Sequence, residues 1–192
     1  MLQALHLLDL VVYHKAGTQM QRISEARLAP VFRTIPYELI KNTIVQFLNE
    51  VLYKCLGESI ADEALFQFIF HALCWFDETE TADVNFHLAF LIRMSRYLGF
   101  APHFQCRVDQ RYFDLQEGAF TSILPLHPYF MEKDDALFWE QLYSFPFEQL
   151  NAIKIPNAQR KLLLSNLLTY YTLHTASFGQ VKSHHILEDV LA

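Results

Sequence analysis

Residues 159–177 read QRKLLLSNLLTYYTLHTAS. Leu163, Leu167, Tyr170, Tyr171 and His174 recur there at steps of three and four, the stripe a helix turns toward a core. Gly179 closes this helix, and Ser183 stands where a final short helix, ending near Leu191, would take its N-cap. The same period runs upstream. After Pro36 it picks out Ile40, Ile44, Phe47, Leu48, Val51 and Leu52, and Gly57 ends that run. A second helix, starting near Ala61, turns Leu65, Phe66, Ile69, Phe70 and Leu73 inward. A third, over 84–98, uses Phe86, Phe90, Leu91, Met94, Tyr97 and Leu98, with Gly99 and Pro102 beyond it. A fourth, over 134–143, uses Ala136, Leu137, Trp139, Leu142 and Tyr143. The fold predicted is mainly α, a bundle-like helical domain.

Three segments break the helical period. The apolar stretch 2–13, a turn at Lys15-Ala16-Gly17 and a second extended piece near 20–24 predict one or two strands. The acidic run 77–83 reads as a loop. Residues 104–120 predict a short hairpin or irregular loop with Gly118 at a turn, and Pro125 and Pro128 bracket another break.

Composition agrees with this outline. The 192 residues are 52% hydrophobic, with seventeen Phe and nine Tyr against five Gly, which favours a well-packed helical core over a turn-rich sandwich. No stretch reaches the roughly 18 apolar residues of a membrane span, and the N-terminus lacks the basic segment of a signal peptide. Three cysteines, Cys55, Cys74 and Cys106, suit a reducing cytoplasm better than a disulfide framework.

The net charge of -6 argues mildly against nucleic acid, but the charges are unevenly spread. Residues 56–85 carry seven acids and no Lys or Arg. Residues 151–182 carry Lys154, Arg160, Lys161 and Lys182 and no acid, and Arg93, Arg96, Arg107 and Arg111 form a second basic group. Such asymmetry builds a positive face on an acidic protein, with ordinary solvated surface as the alternative. Tyr97, Phe104, Tyr112 and Phe113 lie among those arginines, the mixture that grips single strands by phosphate contact and base stacking.

Catalytic signatures are absent: no GxSxG, no P-loop, no GxGxxG. His71, Cys74, His103 and Cys106 supply donor types that suit tetrahedral zinc, and a zinc enzyme built on them is one rival reading. A core cysteine beside a partly buried histidine explains them better, so no metal and no cofactor are expected. His184 and His185 read as a solvent-facing pair in the first turn of the last helix.

Six runs in order, FLNEVL (47–52), NFHL (85–88) leading to SRYLGFAP (95–102), YFDLQEGAF (112–120), PLHP (125–128), LLTYYTLH (167–174) and FGQVKS (178–183), resemble the helical domain of Bacteroidetes-type RecO proteins. The resemblance covers most of the chain. It implies that 31–192 are the helical domain and that 1–30 are a β remnant of an N-terminal OB-fold, most of whose barrel lies outside this sequence. It implies a RecF-pathway recombination mediator, cytoplasmic and nucleoid-associated, with no catalytic residues. Such proteins bind single- and double-stranded DNA, RecR and the acidic C-terminal tail of single-stranded DNA-binding protein, anneal strands and help load RecA. The tail would meet Arg93, Arg96 and Tyr97. DNA would meet Arg107, Arg111, Lys154, Arg160, Lys161 and Lys182. Some relatives carry four zinc-binding cysteines where 104–120 hold only Cys106, so the resemblance adds nothing for zinc. A protein-interaction module without its own DNA binding is the other rival reading.

Overall fold

A computed structural model describes residues 3–17, 20–56, 62–176 and 178–191. Strands β1 (Leu8–Tyr13) and β2 (Arg22–Leu28) form an antiparallel hairpin whose register shifts between Val11 and Val12. The turn at Lys15-Ala16-Gly17 lies where expected, with Gly17 at φ +81°, and the second strand runs four residues past the expected segment. Both faces of the hairpin are exposed, Leu8, Leu10, Val11, Val12, Tyr13 and Ile23 included. It meets the core at its base, through buried Leu7 and Phe32.

The rest is mainly helical: α1 (Leu39–Leu56), α2 (Glu63–Glu78), α3 (Phe86–Tyr97), α4 (Lys133–Ser144), a 3-10 helix (Phe147–Ala152), α5 (Asn157–His174) and α6 (His184–Val190). Gly57, Ala61 and Ser177, named above as helix boundaries, lie outside the described residues. Helix α3 is the centre of the bundle. Nine of its twelve residues are buried, and α2, α4, α5 and the 3-10 helix pack around it. Phe76 and Phe86 stack face to face at 4.0 Å between α2 and α3. Phe66, read as an inward residue, is instead half exposed on α2; Ala72 and Phe76 take the inward stripe with Leu65 and Leu73.

The expected hairpin over 104–120 is present as β3 (Tyr112–Asp114) and β4 (Ala119–Thr121). A further strand, β5 (Phe130–Glu132), completes a three-stranded sheet of order β4-β3-β5. Gly118 turns at φ +64°, and a Cβ there would lie 2.8 Å from the Tyr170 hydroxyl, so both the backbone and the neighbour require glycine. The tyrosine-rich stretch of α5 holds this layer to α3: Tyr170 donates to the Phe100 carbonyl (2.6 Å), Tyr171 donates to the Leu91 carbonyl (2.7 Å), and His174 Nε2 lies 2.9 Å from the Leu115 carbonyl.

Two carboxylates correct the sequence reading. Asp77 is not loop; it closes the last turn of α2 and accepts from the backbone N–H groups of Arg33, Thr34 and Ile35. Fully buried Lys41 completes that junction, donating to Thr34 Oγ1 and the Thr79 carbonyl. Ser183 does hold the N-cap position of α6 but makes no side-chain cap bond. Its hydroxyl donates to Glu50, whose carboxylate also accepts from the N–H groups of Lys182 and Ser183.

Candidate functional site

The residues singled out for the acidic tail divide into one structural and two surface groups. Arg93 is committed to the fold. Its guanidinium donates twice to the Leu142 carbonyl (3.0 and 2.9 Å) and also to the Phe145 carbonyl, and it lies 4.1 Å from the Phe147 ring centroid. It thereby satisfies the open carbonyls at the end of α4. Burial pushes it down to about 10, which leaves it cationic at neutral pH. Arg96 is exposed at the last turn of α3, and half-buried Tyr97 stacks on Phe68 at 4.9 Å.

The six residues singled out for DNA fall into three places. Arg107 and Arg111 meet at one end of the three-stranded sheet, bridged by Lys133, whose N–H donates to the Arg111 carbonyl (2.8 Å) and whose Nζ lies 3.4 Å from the Arg107 carbonyl. Lys154 and Arg160 line a cavity at the start of α5, and Lys161 lies beside them on that helix. Lys182 is exposed at the start of α6, where its backbone rather than its side chain bonds Glu50.

The cavity has a volume of about 690 Å³ and opens where α2, α3, the 3-10 helix and α5 converge. Trp75 and Phe147 form its aromatic wall, stacked at 5.2 Å. Arg160 reaches it from the first turn of α5, held by three neutral oxygens: Asn85 Oδ1 (3.2 Å), Asn157 Oδ1 (3.4 Å) and the Ile155 carbonyl (3.1 Å). Asn85 is itself buried and pinned, its amide donating to the Ile153 carbonyl at 2.9 Å. Among the described residues no carboxylate pairs with Arg160 within 4.0 Å. Burial pulls the guanidinium below its ordinary value, with the charge of Asp83 acting the other way. Asp83, also in the wall, is raised by burial despite the Asn85 N–H and the charges of Arg160 and Lys154. At the start of α3 the Asn85 N–H donates to Asp83 Oδ1 (2.8 Å), so a carboxylate of the same wall already meets that helix end. Glu80 and Glu148 sit on the rim. The cavity therefore offers an aromatic wall with one preorganised cation, Arg160, and exposed Lys154, set against the carboxylates of Glu80, Asp83 and Glu148; an apolar group would meet the wall and a carboxylate would meet Arg160.

A second cavity, about 540 Å³, shares Trp75, Phe147 and Glu148 with the first and is lined by Phe68, His71 and Tyr97. Sequence reading named Tyr97, Lys154 and Arg160 but missed Trp75, Asn85 and Phe147. Those three come from distant segments, and the 3-10 helix that carries Phe147 has no periodic signal. The donors considered for zinc stay apart: among the described residues no group of three or more His, Cys, Asp or Glu could hold a metal ion. His184 and His185 do pair, with ring centroids 3.8 Å apart, but only His185 is exposed. No described helix is long and apolar enough to cross a membrane.

The family model for the recombination protein O C-terminal domain matches residues 36–184, which span α1 to α5 and the three-stranded sheet. This chain belongs to the RecO family. DNA repair protein RecO from Phocaeicola vulgatus is 31% identical over 190 residues, which cover 99% of this chain and 79% of that protein. DNA repair protein RecO from Flavobacterium psychrophilum is 32% identical over 192 residues, 99% of this chain and 78% of its own. The homologue from Azobacteroides pseudotrichonymphae is 34% identical over 186 residues, 97% and 77%. RecO membership agrees with the resemblance carried by the six sequence runs, and it connects the chain with DNA repair and recombination.

Proposed function

We propose that this chain is a recombination mediator that binds DNA and partner proteins and makes or breaks no covalent bond. In this reading it docks the acidic C-terminal tail of single-stranded DNA-binding protein, binds RecR, anneals complementary strands and helps load RecA. The observation that carries the reading is the cavity whose lining joins Trp75 and Phe147 with Lys154 and Arg160, the Arg160 guanidinium being held by neutral oxygens rather than by a carboxylate. A peptide ending in a large apolar side chain and a free carboxylate needs that combination. It moves the expected seat of the tail from Arg93, which the fold consumes, to Lys154 and Arg160. Arg96 and Tyr97 remain as neighbours that extend the contact along the adjoining cavity. Phosphate contacts are assigned to Arg107, Arg111, Lys161 and Lys182.

The test is fluorescence anisotropy with a labelled acidic tail peptide and, separately, a labelled single-stranded oligonucleotide at two salt concentrations. Lys154→Ala and Arg160→Ala should each weaken the peptide by about 1–3 kcal/mol, the scale of a charged hydrogen bond. Arg96→Ala, measured beside them, tests the flank. Unchanged affinity in all three variants would reject the seat. Oligonucleotide affinity should fall steeply with salt. Peptide binding with no DNA binding would reduce the molecule to a protein-docking module.

A further inference from the structure

We propose that the apolar face of the β1-β2 hairpin is a contact surface for the same face of a second copy of this chain, which makes a two-fold dimer. The proposal is independent of the cavity and of the DNA-binding reading.

The register divides the hairpin into two unlike faces. Side chains alternate along a strand, and residues opposite each other in the ladder share a face. Leu8 lies opposite Leu28, Leu10 opposite Ala26 and Val12 opposite Ile23, so these six form one face, and none of them is polar. The shift after Val11 keeps Ile23 on that face, because the pairing passes over Ser24 there. Asp9, Val11 and Tyr13 form the other face with Arg27, Glu25 and Arg22. All the charges of the two strands lie on it, and they find partners there: Arg27 pairs with Glu25 at 2.8 Å, and the Arg22 guanidinium lies 6.0 Å from the Tyr13 ring centroid. The apolar face has no such partners. Leu10, Val12 and Ile23 on it are 42%, 44% and 56% exposed. A contiguous apolar face in solvent marks a contact, and a two-stranded sheet is marginal until something packs on it.

Charge selects the occupant. A face with no charge and no hydrogen-bonding side chain disfavours nucleic acid and charged peptides, whose phosphates or carboxylates would lose water against it and gain no partner. The face is complementary to itself. A two-fold axis sets six apolar residues against the same six, while Asp9, Arg22, Glu25 and Arg27 stay in water on the outer side of both copies. Each hairpin then forms one layer of a small sandwich, the arrangement in which sheets with one apolar face bury it. Two such strands offer a face of roughly 24 Å by 10 Å, well under the about 800 Å² per partner of a standard interface, so the dimer is weak and forms with concentration.

The test is sedimentation velocity on the full chain from about 1 to 100 µM, the range of a weak dimer. The mass should rise from the 22.5 kDa of one chain toward twice that. Its Kd should move by less than about twofold between low and high salt, because no charge enters the contact. Leu10→Glu should remove the dimer throughout that range, since each copy would bury a carboxylate against the other. Val11→Lys, one residue away on the charged face, should dimerise like the wild type. Ala26→Leu enlarges the apolar face at an exposed position and should tighten the dimer about tenfold, a gain that a misfolded variant cannot imitate. A chain that stays monomeric at the top of the range would overturn the proposal and leave this face to a different partner. A dimer that Val11→Lys breaks as readily as Leu10→Glu, or that Ala26→Leu leaves unchanged, would overturn it by placing the contact elsewhere.

Discussion

At the scale of single residues, Glu50 does work that its exposure hides. One carboxylate on α1 receives the Lys182 N–H, the Ser183 N–H and the Ser183 hydroxyl, and so fixes the entry to α6. Burial pulls this carboxyl up, but the hydrogen bonds from Ser183 and Lys182, helped by the charge of Lys54, outweigh it and hold the group below 4.5, its ordinary value. Glu50→Ala should cost about 1–3 kcal/mol in urea denaturation, because the N–H groups at the start of α6 lose their partner. Glu50→Gln should cost less. The sign in acid follows from the lowered value. Glu50's contribution is present above the unfolded carboxyl value and fades as pH falls through the lowered folded one, so the wild type and Glu50→Gln should converge in stability once the pH is below that folded value. The sequence placed both partners in the FLNEVL and FGQVKS runs, but nothing in either run says that they touch. Asp77 is the same case: seven acids in a row of thirty read as solvent-facing, and only the returning chain at residues 33–35 shows why this one is buried.

At the scale of elements, helices were legible because burial on one face imposes a period on the sequence, and α1, α3, α4 and α5 lie close to where that period put them. The three-residue β5 and the 3-10 helix carry no such period. Their residues are set by neighbours, Phe113 pairing with Met131 across the sheet and Phe147 packing on Trp75. Half the wall of the aromatic cavity was invisible for that reason. The contact of Tyr170 with the sheet gives an element-level prediction. Gly118→Ala must place a Cβ 2.8 Å from the Tyr170 hydroxyl in a left-handed backbone, so it should destabilise by about 1–3 kcal/mol in thermal or urea melts. Tyr171→Phe removes one buried hydrogen bond, to the Leu91 carbonyl, and should cost about 1–2 kcal/mol. If Gly118→Ala melts like the wild type, the sheet is free to shift away from α5 and does not depend on that contact.

At the scale of the whole molecule, the cavity and the stability of the fold share one charge. His87 is buried on α3, beside Arg160 and under α6. Burial, reinforced by the positive charge of Arg160, pushes His87 down from 6.5 to about 3, so in the folded chain it is neutral through the physiological range. The unfolded chain still takes up its proton near pH 6.5. Between those two values only the unfolded state binds the proton, so acidification draws the equilibrium toward unfolding. The stability attached to His87 is full above about pH 6.5 and declines from there toward pH 3, at about 1.4 kcal/mol for each pH unit. From pH 7 to pH 5 the loss should reach about 2 kcal/mol, at pH values above those at which Glu50 titrates. Urea denaturation at those two pH values should report it, and His87→Gln, which keeps a polar side chain but cannot titrate, should remove most of the difference. Arg160→Ala should leave most of it in place, because burial, the larger cause, still keeps His87 neutral in the folded chain at pH 5. A wild-type stability that stays flat from pH 7 to pH 5 would mean that the folded chain admits the proton, and with it that α6 opens over this end of the bundle.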